Sequence, residues 1–339
     1  MVVIQSYPLA VAMCFITMLC WGSWANTQKL ATKEWRFQLF YWDYCIGVLL
    51  MSLIMALTLG SCGSDGRSFF NDLGQASSAV IWSALFGGII FNLGNILLVT
   101  AIDIAGMAVA FPIGVGLALV IGVVMNYIIA PLGNPVLLFI GVAGIIVAVI
   151  LDAIAYKKLS AGGKTPVKGI VISVLSGLCL GLFYPFVAKS MPALQSAEDF
   201  INLEAGKLGP YSALVVSCTG ILLSSFLWNT IAMIKPLVGE PVPLGDYFKK
   251  GNPRLHMIGI IGGLIWCLGF SFSIIASSEA GFAISYGLGQ GATMVAAFWG
   301  VFIWKEFKAA PAGTNKLLTL MFAFYIVSLV LIIISRLVV

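Results

Sequence analysis

The sequence predicts an all-α polytopic membrane protein with ten transmembrane helices, arranged as an inverted 5+5 repeat. Of its 339 residues, 60% are hydrophobic and only 9% are charged, whereas roughly 25% of residues are charged in an ordinary soluble domain. Two apolar runs, Val136–Tyr156 and Leu317–Ile334, reach the ~18 residues typical of a membrane span and carry at most one charge.

Ten apolar segments of this kind follow one another along the chain. Each is about 20 residues long, which is enough to cross roughly 30 Å of hydrocarbon as a helix. The predicted spans are Pro8–Gln28, Phe37–Leu59, Val80–Ala101, Met107–Ile129, Val136–Tyr156, Gly169–Ala188, Tyr211–Ile234, Met257–Ala276, Phe282–Trp304 and Leu317–Arg336.

The basic residues predict how these helices are oriented. With ten spans, the loops that follow the odd-numbered helices share one side of the membrane. That side carries all of the 18 lysines and arginines except Arg67, Lys189, Lys207 and Arg336. Because cytoplasmic loops are enriched in lysine and arginine, we expect an inner-membrane protein with both termini outside the cytoplasm.

The chain also contains an internal repeat. When Gly87–Val120 is displaced by 175 residues, it aligns without a gap on Gly262–Val295, and both copies begin with a Gly-Gly pair. Such glycines occur where helix backbones approach closely. An odd number of helices in each half inverts the second half. We therefore expect two five-helix units, residues 1–160 and 161–339, which is an architecture typical of secondary transporters.

The reactive side chains argue against an enzyme. A single histidine, His256, is too little for a histidine-based metal site or a Ser-His-Asp relay. Of the seven cysteines only Cys62 lies in a predicted loop, so no disulfide framework is indicated. The stretch 163–165 resembles the end of a phosphate-binding loop, but the first glycine of that motif would fall on Lys158. We predict no catalytic residue, cofactor or metal.

The first predicted helix ends in CWGSWANT, Cys20–Thr27, which combines two indoles with an amide. One interpretation is an aromatic belt at the membrane interface. The other is a loosened helical segment in which Trp21, Trp24 and Asn26 face a cavity and bind a solute. The sequence leaves both interpretations open.

The second predicted helix carries Asp43 roughly two turns from its cytoplasmic end. This residue could pair with Lys29 or Arg36 at the interface. A carboxyl group without a partner at that depth would instead favour its protonated form, and would release the proton when water or a cation arrives. Asp43 is therefore the candidate proton-coupling residue.

Other polar residues lie within the predicted spans. Asn92 and Asn95 share a face of the third helix, where amides either join helices through hydrogen bonds or contact a solute. In the sixth helix, Pro185 predicts a kink that frees a carbonyl beside Tyr184. The ninth helix begins with a glycine-rich run; close packing explains its glycines, and Gln290 within it is a further candidate. Asp152, near Lys157, is expected to form an interfacial ion pair.

Several of these motifs resemble the drug/metabolite transporter (DMT) superfamily, and most closely its ureide permease family and bacterial relatives. The similarity rests on WGSW at 21–24, QLFYWDY at 38–44, LGN at 93–95 and WKE at 304–306. It implies a ten-helix, proton-coupled carrier for small polar solutes such as allantoin, purine-breakdown products or nucleobases. The long central loop of the plant members is absent here. A sister group of similar architecture moves sugars, so a sugar uptake porter is the alternative.

The expected function is secondary active transport of a small, polar, uncharged solute by alternating access with proton symport. Helices one to four and six to nine are expected to line the site. The predicted site residues are three rings for stacking and four amides for hydrogen bonds: Trp21, Trp24, Tyr184, Asn26, Asn92, Asn95 and Gln290. Expected partners are the solute, protons and the lipid bilayer, without nucleic acid, in a monomer or homodimer. The sequence shows neither the clustered reactive groups of a membrane enzyme nor the continuous polar stripe of a channel.

Overall fold

The computed structural model describes residues 1–31, 35–159, 166–192 and 203–338. Within these residues, ten helices are long and apolar enough to cross a membrane. In chain order they are α1 (Tyr7–Ala31), α2 (Phe37–Leu57), α3 (Ser78–Ala105), α4 (Met107–Ile129), α5 (Pro135–Leu159), α6 (Val167–Ser190), α7 (Pro210–Ile234), α8 (Pro253–Ala280), α9 (Phe282–Ile303) and α10 (Thr314–Leu337). All ten predicted spans are therefore confirmed, with ends shifted by a few residues. The boundary between the two predicted units and the phosphate-loop-like stretch 163–165 lie outside the described residues.

Large apolar side chains cover the outside of the bundle. Trp82 on α3, Phe226 on α7 and Phe302 on α9 are each more than half exposed, at 65%, 64% and 53%. Helices that are apolar on all sides belong in lipid, where one face contacts other helices and the rest contacts acyl chains. The spans are therefore apolar because lipid surrounds the bundle, and their composition does not show which face of each helix packs against the other helices.

The Gly-Gly pairs of the internal repeat lie at two helix crossings. A Cβ atom on Gly88 of α3 would overlap the carbonyl oxygen of Ser217 on α7. In the same way, a Cβ atom on Gly263 of α8 would overlap the carbonyl oxygen of Tyr44 on α2. Only glycine lets these backbones come so close. The repeated motif thus fixes two crossings, and each joins a helix of the first half of the sequence to a helix of the second.

The helices α3 and α8 also end in the same way. Gly106 follows α3 with φ 76° and ψ 159°, and Gly281 follows α8 with φ 79° and ψ 157°. These positive φ values are accessible to glycine without steric cost. The two sharp turns lead directly into α4 and α9.

Two spans contain irregular segments. In α1 the helix is interrupted only at Trp24, whose φ of −56° and ψ of −36° remain helical, so the segment is not unwound. The break is stronger in α9, which consists of Phe282–Gly289, Ala292–Phe298 and a π-helical turn, Trp299–Ile303. Turns of this kind are frequent at functional sites. The helix α6 continues through Pro185 to Ser190.

Polar contacts join the loops at the end of the bundle near the start of α3 and α7. Arg67 pairs with the buried Asp72 at 2.9 Å and donates to the carbonyl oxygens of Leu203 and Lys207, each at 2.9 Å. The second carboxylate oxygen of Asp72 accepts from the backbone of Gly209 at 2.7 Å. The loop between α2 and α3 is therefore held against the loop between α6 and α7.

Candidate functional site

A cavity of about 480 Å³ lies among the helices, within the roughly 300–1,000 Å³ of small-molecule sites. Residues of α1, α3, α4, α5, α6, α8 and α9 line it. Helix α5 is an unexpected contributor, and within the described part of the chain α2 and α7 supply none of the lining. At one end the lining includes Lys29, Asp103, Tyr156 and Glu306, near the ends of α1, α3, α5 and α9.

Stacked aromatic rings form one wall of the cavity. The rings of Trp21 and Trp266 are nearly parallel, with centroids 6.2 Å apart and planes at 12°. Phe91 packs against the other indole, Trp266, at 4.4 Å. The Trp21 indole N–H donates to the Trp266 carbonyl oxygen at 3.3 Å, which fixes the ring. Rigid rings of this kind offer a flat solute a stacking surface.

Two of these lining rings, Phe91 and Trp266, were missed by the sequence reasoning although a signal existed. They are 175 residues apart and so occupy equivalent positions in the internal repeat. Phe111 and Tyr286 are related by the same displacement, and both also line the cavity. Aligned aromatic pairs in the repeat would have identified all four residues.

Among the predicted site residues, Trp21, Trp24, Asn26, Asn95 and Gln290 line the cavity. Asn95 donates its amide to the Tyr41 hydroxyl at 3.2 Å, which holds that amide in place. Gln290 lies at the break in α9. Asn26 is engaged within the protein, because its carbonyl accepts the indole N–H of Trp304 at 2.6 Å.

Asn92 and Tyr184 are buried away from the cavity. Asn92 donates to the carbonyl oxygen of Ile221 at 3.1 Å and to the hydroxyl of Ser224 at 2.8 Å, both on α7. The Tyr184 hydroxyl donates to the carbonyl oxygen of Ser273 on α8 at 3.2 Å. Both side chains join helices to one another in this conformation.

Asp43 also lies outside the cavity lining, in a cluster that joins α2 to α8 and two loops. The carboxylate contacts Nδ1 of His256 at 2.9 and 3.0 Å, and accepts the Tyr247 hydroxyl at 2.5 Å. The Trp35 indole N–H approaches Oδ2 at 3.4 Å. Burial and this carboxylate raise the pKa of Tyr247 above its ordinary value, so Tyr247 is the donor. The sequence analysis considered Lys29 and Arg36 as partners of Asp43. The observed partners Tyr247 and His256 lie 204 and 213 residues away in the chain, and only Trp35 is close in sequence.

The turn after α9 directs Glu306 toward the end of the cavity. Lys305 adopts a left-handed φ of 53°, and the Glu306 backbone N–H donates to the Gly300 carbonyl at 2.9 Å. The carboxylate pairs with Lys29 at 2.5 Å and accepts the Tyr156 hydroxyl at 2.8 Å. Helices α1, α5 and α9 are therefore linked here by charged and polar contacts.

Asp152, one turn before Tyr156 on α5, lines the same end of the cavity and is 7% exposed. Its Oδ1 atom has no hydrogen-bond partner. The ion pairs among the described residues do not include Asp152, so the pairing with Lys157 is not formed there. The cavity thus combines an aromatic wall with a carboxylate that has acceptor capacity to spare.

The profile of the family described as Ureide permease matches residues 40–165 and 158–335. The chain belongs to the ureide permease family. Ureide permease 1 and Ureide permease 2 of Arabidopsis thaliana are each 24% identical to this chain, over 97% and 96% of its length and the same shares of theirs. Probable ureide permease A3 of Vigna unguiculata is 25% identical over 60% of this chain and 55% of its own.

The ureide permease family and the ten apolar helices identify the protein as a multi-pass membrane transporter rather than an enzyme. A solved structure described as "Crystal structure of protein" has a similar fold, with a TM-score of 0.59 and 16% identity. The similarity covers 98% of this chain and 99% of that one. Likeness at this identity establishes the fold alone.

Proposed function

We propose that this ureide permease family member is a secondary active transporter that carries a small, polar, uncharged ureide-type solute across the inner membrane. The cavity supports the proposal most directly. It is large enough for a small heterocycle, its stacked indoles suit a flat solute, and its polar end offers hydrogen-bond partners. The names of the curated relatives point to the same class of solute.

Transport by alternating access, in an inverted 5+5 repeat of the DMT superfamily type, is part of this proposal. The helix contacts support this architecture because the most extensive of them have equivalents when helices one to five are matched in order to helices six to ten. The packing of α3 on α6 corresponds to that of α8 on α1, and the packing of α3 on α7 to that of α8 on α2. The matching turns at Gly106 and Gly281 agree with the same relation. Rocking of the two units about the cavity would expose it to each side in turn.

Proton symport through Asp43 is the second part of the proposal. The carboxyl group is 1% exposed on α2, in the first unit, whereas Tyr247 and His256 belong to the second unit. Protonation of Asp43 would remove the negative charge that holds His256. The proton would therefore alter the contact between α2 and α8, which the rocking motion must change. The coupling runs through the packing of the two units, since Asp43 does not line the cavity.

The proposal includes the orientation of the protein in the membrane, its partners and its oligomeric state. Both termini lie outside the cytoplasm, the partners are the solute, protons and lipid, and the protein acts as a monomer or homodimer. The end of the cavity marked by Lys29, Tyr156 and Glu306 then faces the cytoplasm, while the Arg67–Asp72 contacts join two loops on the opposite side.

A ligand screen by thermal unfolding of the purified full-length protein tests the proposed solute class. Allantoin, nucleobases, nucleosides and sugars are compared at equal concentrations, because a ligand that binds the folded state raises its melting temperature. We expect ureides to raise it most, and the Trp266→Ala variant to lose that rise. A rise with sugars alone would replace this proposal with a sugar uptake porter.

A further inference from the structure

Within the part of the chain that the structure describes, Asp152 is a buried carboxylate with one oxygen that accepts no hydrogen bond, at a place where a solute can reach it. It is 7% exposed, its Oδ1 atom accepts no hydrogen bond, and the residue lines the cavity. Burying such a group costs free energy unless something supplies hydrogen bonds to it. A structural role would provide that partner within the protein. Among the described residues none donates to this oxygen, and because Asp152 lines the cavity, a solute can supply the donor.

Neighbouring charges do not supply the missing partner. Lys29, the cation in the cavity lining, is paired with Glu306, and the Tyr156 hydroxyl donates to the same carboxylate. Asp103 and Glu306 add negative charge to this end of the cavity. The surroundings of Asp152 therefore repel anions and favour a ligand that brings hydrogen-bond donors.

An open-chain ureido group, –NH–CO–NH₂, has the geometry that such a carboxylate needs. Its two N–H bonds on the side away from the carbonyl oxygen point in parallel, as do two N–H bonds of a guanidinium. Paired N–H donors of this kind bind both oxygens of a carboxylate at once, and they stabilise its ionised form. Sugars and isolated cyclic ureides lack this fork of donors.

We propose that Asp152 is the solute-binding carboxylate that recognises the ureido group, while the rings of Trp21 and Trp266 hold the flat remainder of the solute. This inference rests on the proposed transport of ureides and names the residue that would select them. Allantoin carries both parts, because it joins a hydantoin ring to an open-chain ureido group. Hydantoin has the ring alone and is the matched probe.

Binding of allantoin and hydantoin to the purified full-length protein tests the proposal, with the affinity ratio as the readout. The wild type should prefer allantoin by about tenfold or more, as expected for hydrogen bonds to a charged group. Asp152→Asn keeps the size of the side chain but replaces one acceptor by a donor, so the ratio should fall to about one. Glu240→Gln removes the same charge from an exposed loop residue outside the cavity lining and should preserve the ratio.

Each outcome separates this inference from the proposed function. If Asp152→Asn is folded and keeps the wild-type preference for allantoin over hydantoin, Asp152 does not bind the ureido group. The proposed transport of ureides is unaffected by that result. Asp152→Ser, which removes the carboxylate by truncation, provides a second test if the asparagine variant does not fold. If the wild type binds neither probe, the proposed ureide function fails, and this inference fails with it.

Discussion

Trp21 serves both as a structural contact and as part of the cavity wall. Its ring stacks with that of Trp266, and its N–H donates to the Trp266 backbone, so the indole is fixed before any solute arrives. Trp24 packs against Tyr44, with ring centroids 4.8 Å apart and planes at 42° to each other. Rings that are already ordered lose little conformational entropy on binding.

Replacing Trp21 or Trp24 by alanine should lower allantoin affinity by about tenfold or more in the folded protein, because a stacking surface is lost. Isothermal calorimetry on detergent-purified variants measures this. Trp82→Ala is the control, since that indole is 65% exposed on the outside of α3 and should bind as the wild type does. Unchanged affinity in both cavity variants would favour the interfacial-belt interpretation instead.

At Asp43 the expected result is a separation of binding from energy coupling. Asp43→Asn preserves the shape of the side chain but cannot take up a proton. The variant should exchange allantoin across proteoliposome membranes, yet fail to accumulate it when a pH gradient is imposed. The control is Asp246→Asn, in which the substituted carboxylate lies in the loop between α7 and α8 and pairs with Lys250. Accumulation by Asp43→Asn with the pH dependence of the wild type would show that the proton is carried elsewhere.

At the scale of helices, the crossing of α2 and α8 depends on Gly263. A Cβ atom there would overlap the backbone oxygen of Tyr44, which cannot move without displacing the helix. Gly263→Ala should therefore destabilise the protein, by about 1–3 kcal/mol if the strain resembles that of overpacked cores. The measurement is thermal unfolding in detergent.

Gly116→Ala provides the matched control for Gly263→Ala. Gly116 lies within α4, and a Cβ atom on it would meet nothing within 4 Å. Alanine favours a helix by about 0.8–1.0 kcal/mol over glycine, so this variant should melt at or above the wild-type temperature. Equal melting temperatures for the two variants would contradict the close crossing.

The helices could be predicted from sequence because each span is defined by its own apolarity over consecutive residues. The face that each helix turns toward its neighbours could not be predicted, because the helices are apolar on all sides and show no amphipathic pattern. Asp43 illustrates the consequence. Its depth in α2 was evident, but its partner His256 lies on α8, 213 residues away. Phe91 and Trp266 show the opposite case, where the internal repeat already contained the information about the site.

At the scale of the whole molecule, the uneven distribution of basic residues predicts the orientation of the bundle. A reporter that functions only outside the cytoplasm should be active when fused after Val339, because both termini are expected there. The same reporter fused after Lys250, in the loop between α7 and α8, is the control and should be inactive. The reverse pattern would overturn the orientation and the cytoplasmic opening of the cavity.

Solute counterflow tests the central proposal most directly, namely that the cavity carries a ureide-type solute by alternating access. Proteoliposomes are loaded with unlabelled allantoin and diluted into a trace of labelled allantoin, without any ion gradient. A carrier should produce a transient accumulation of label above equilibrium, and Trp266→Ala should abolish it. Entry of label at the rate of protein-free liposomes, or a rise to equilibrium without an overshoot, would contradict the proposal.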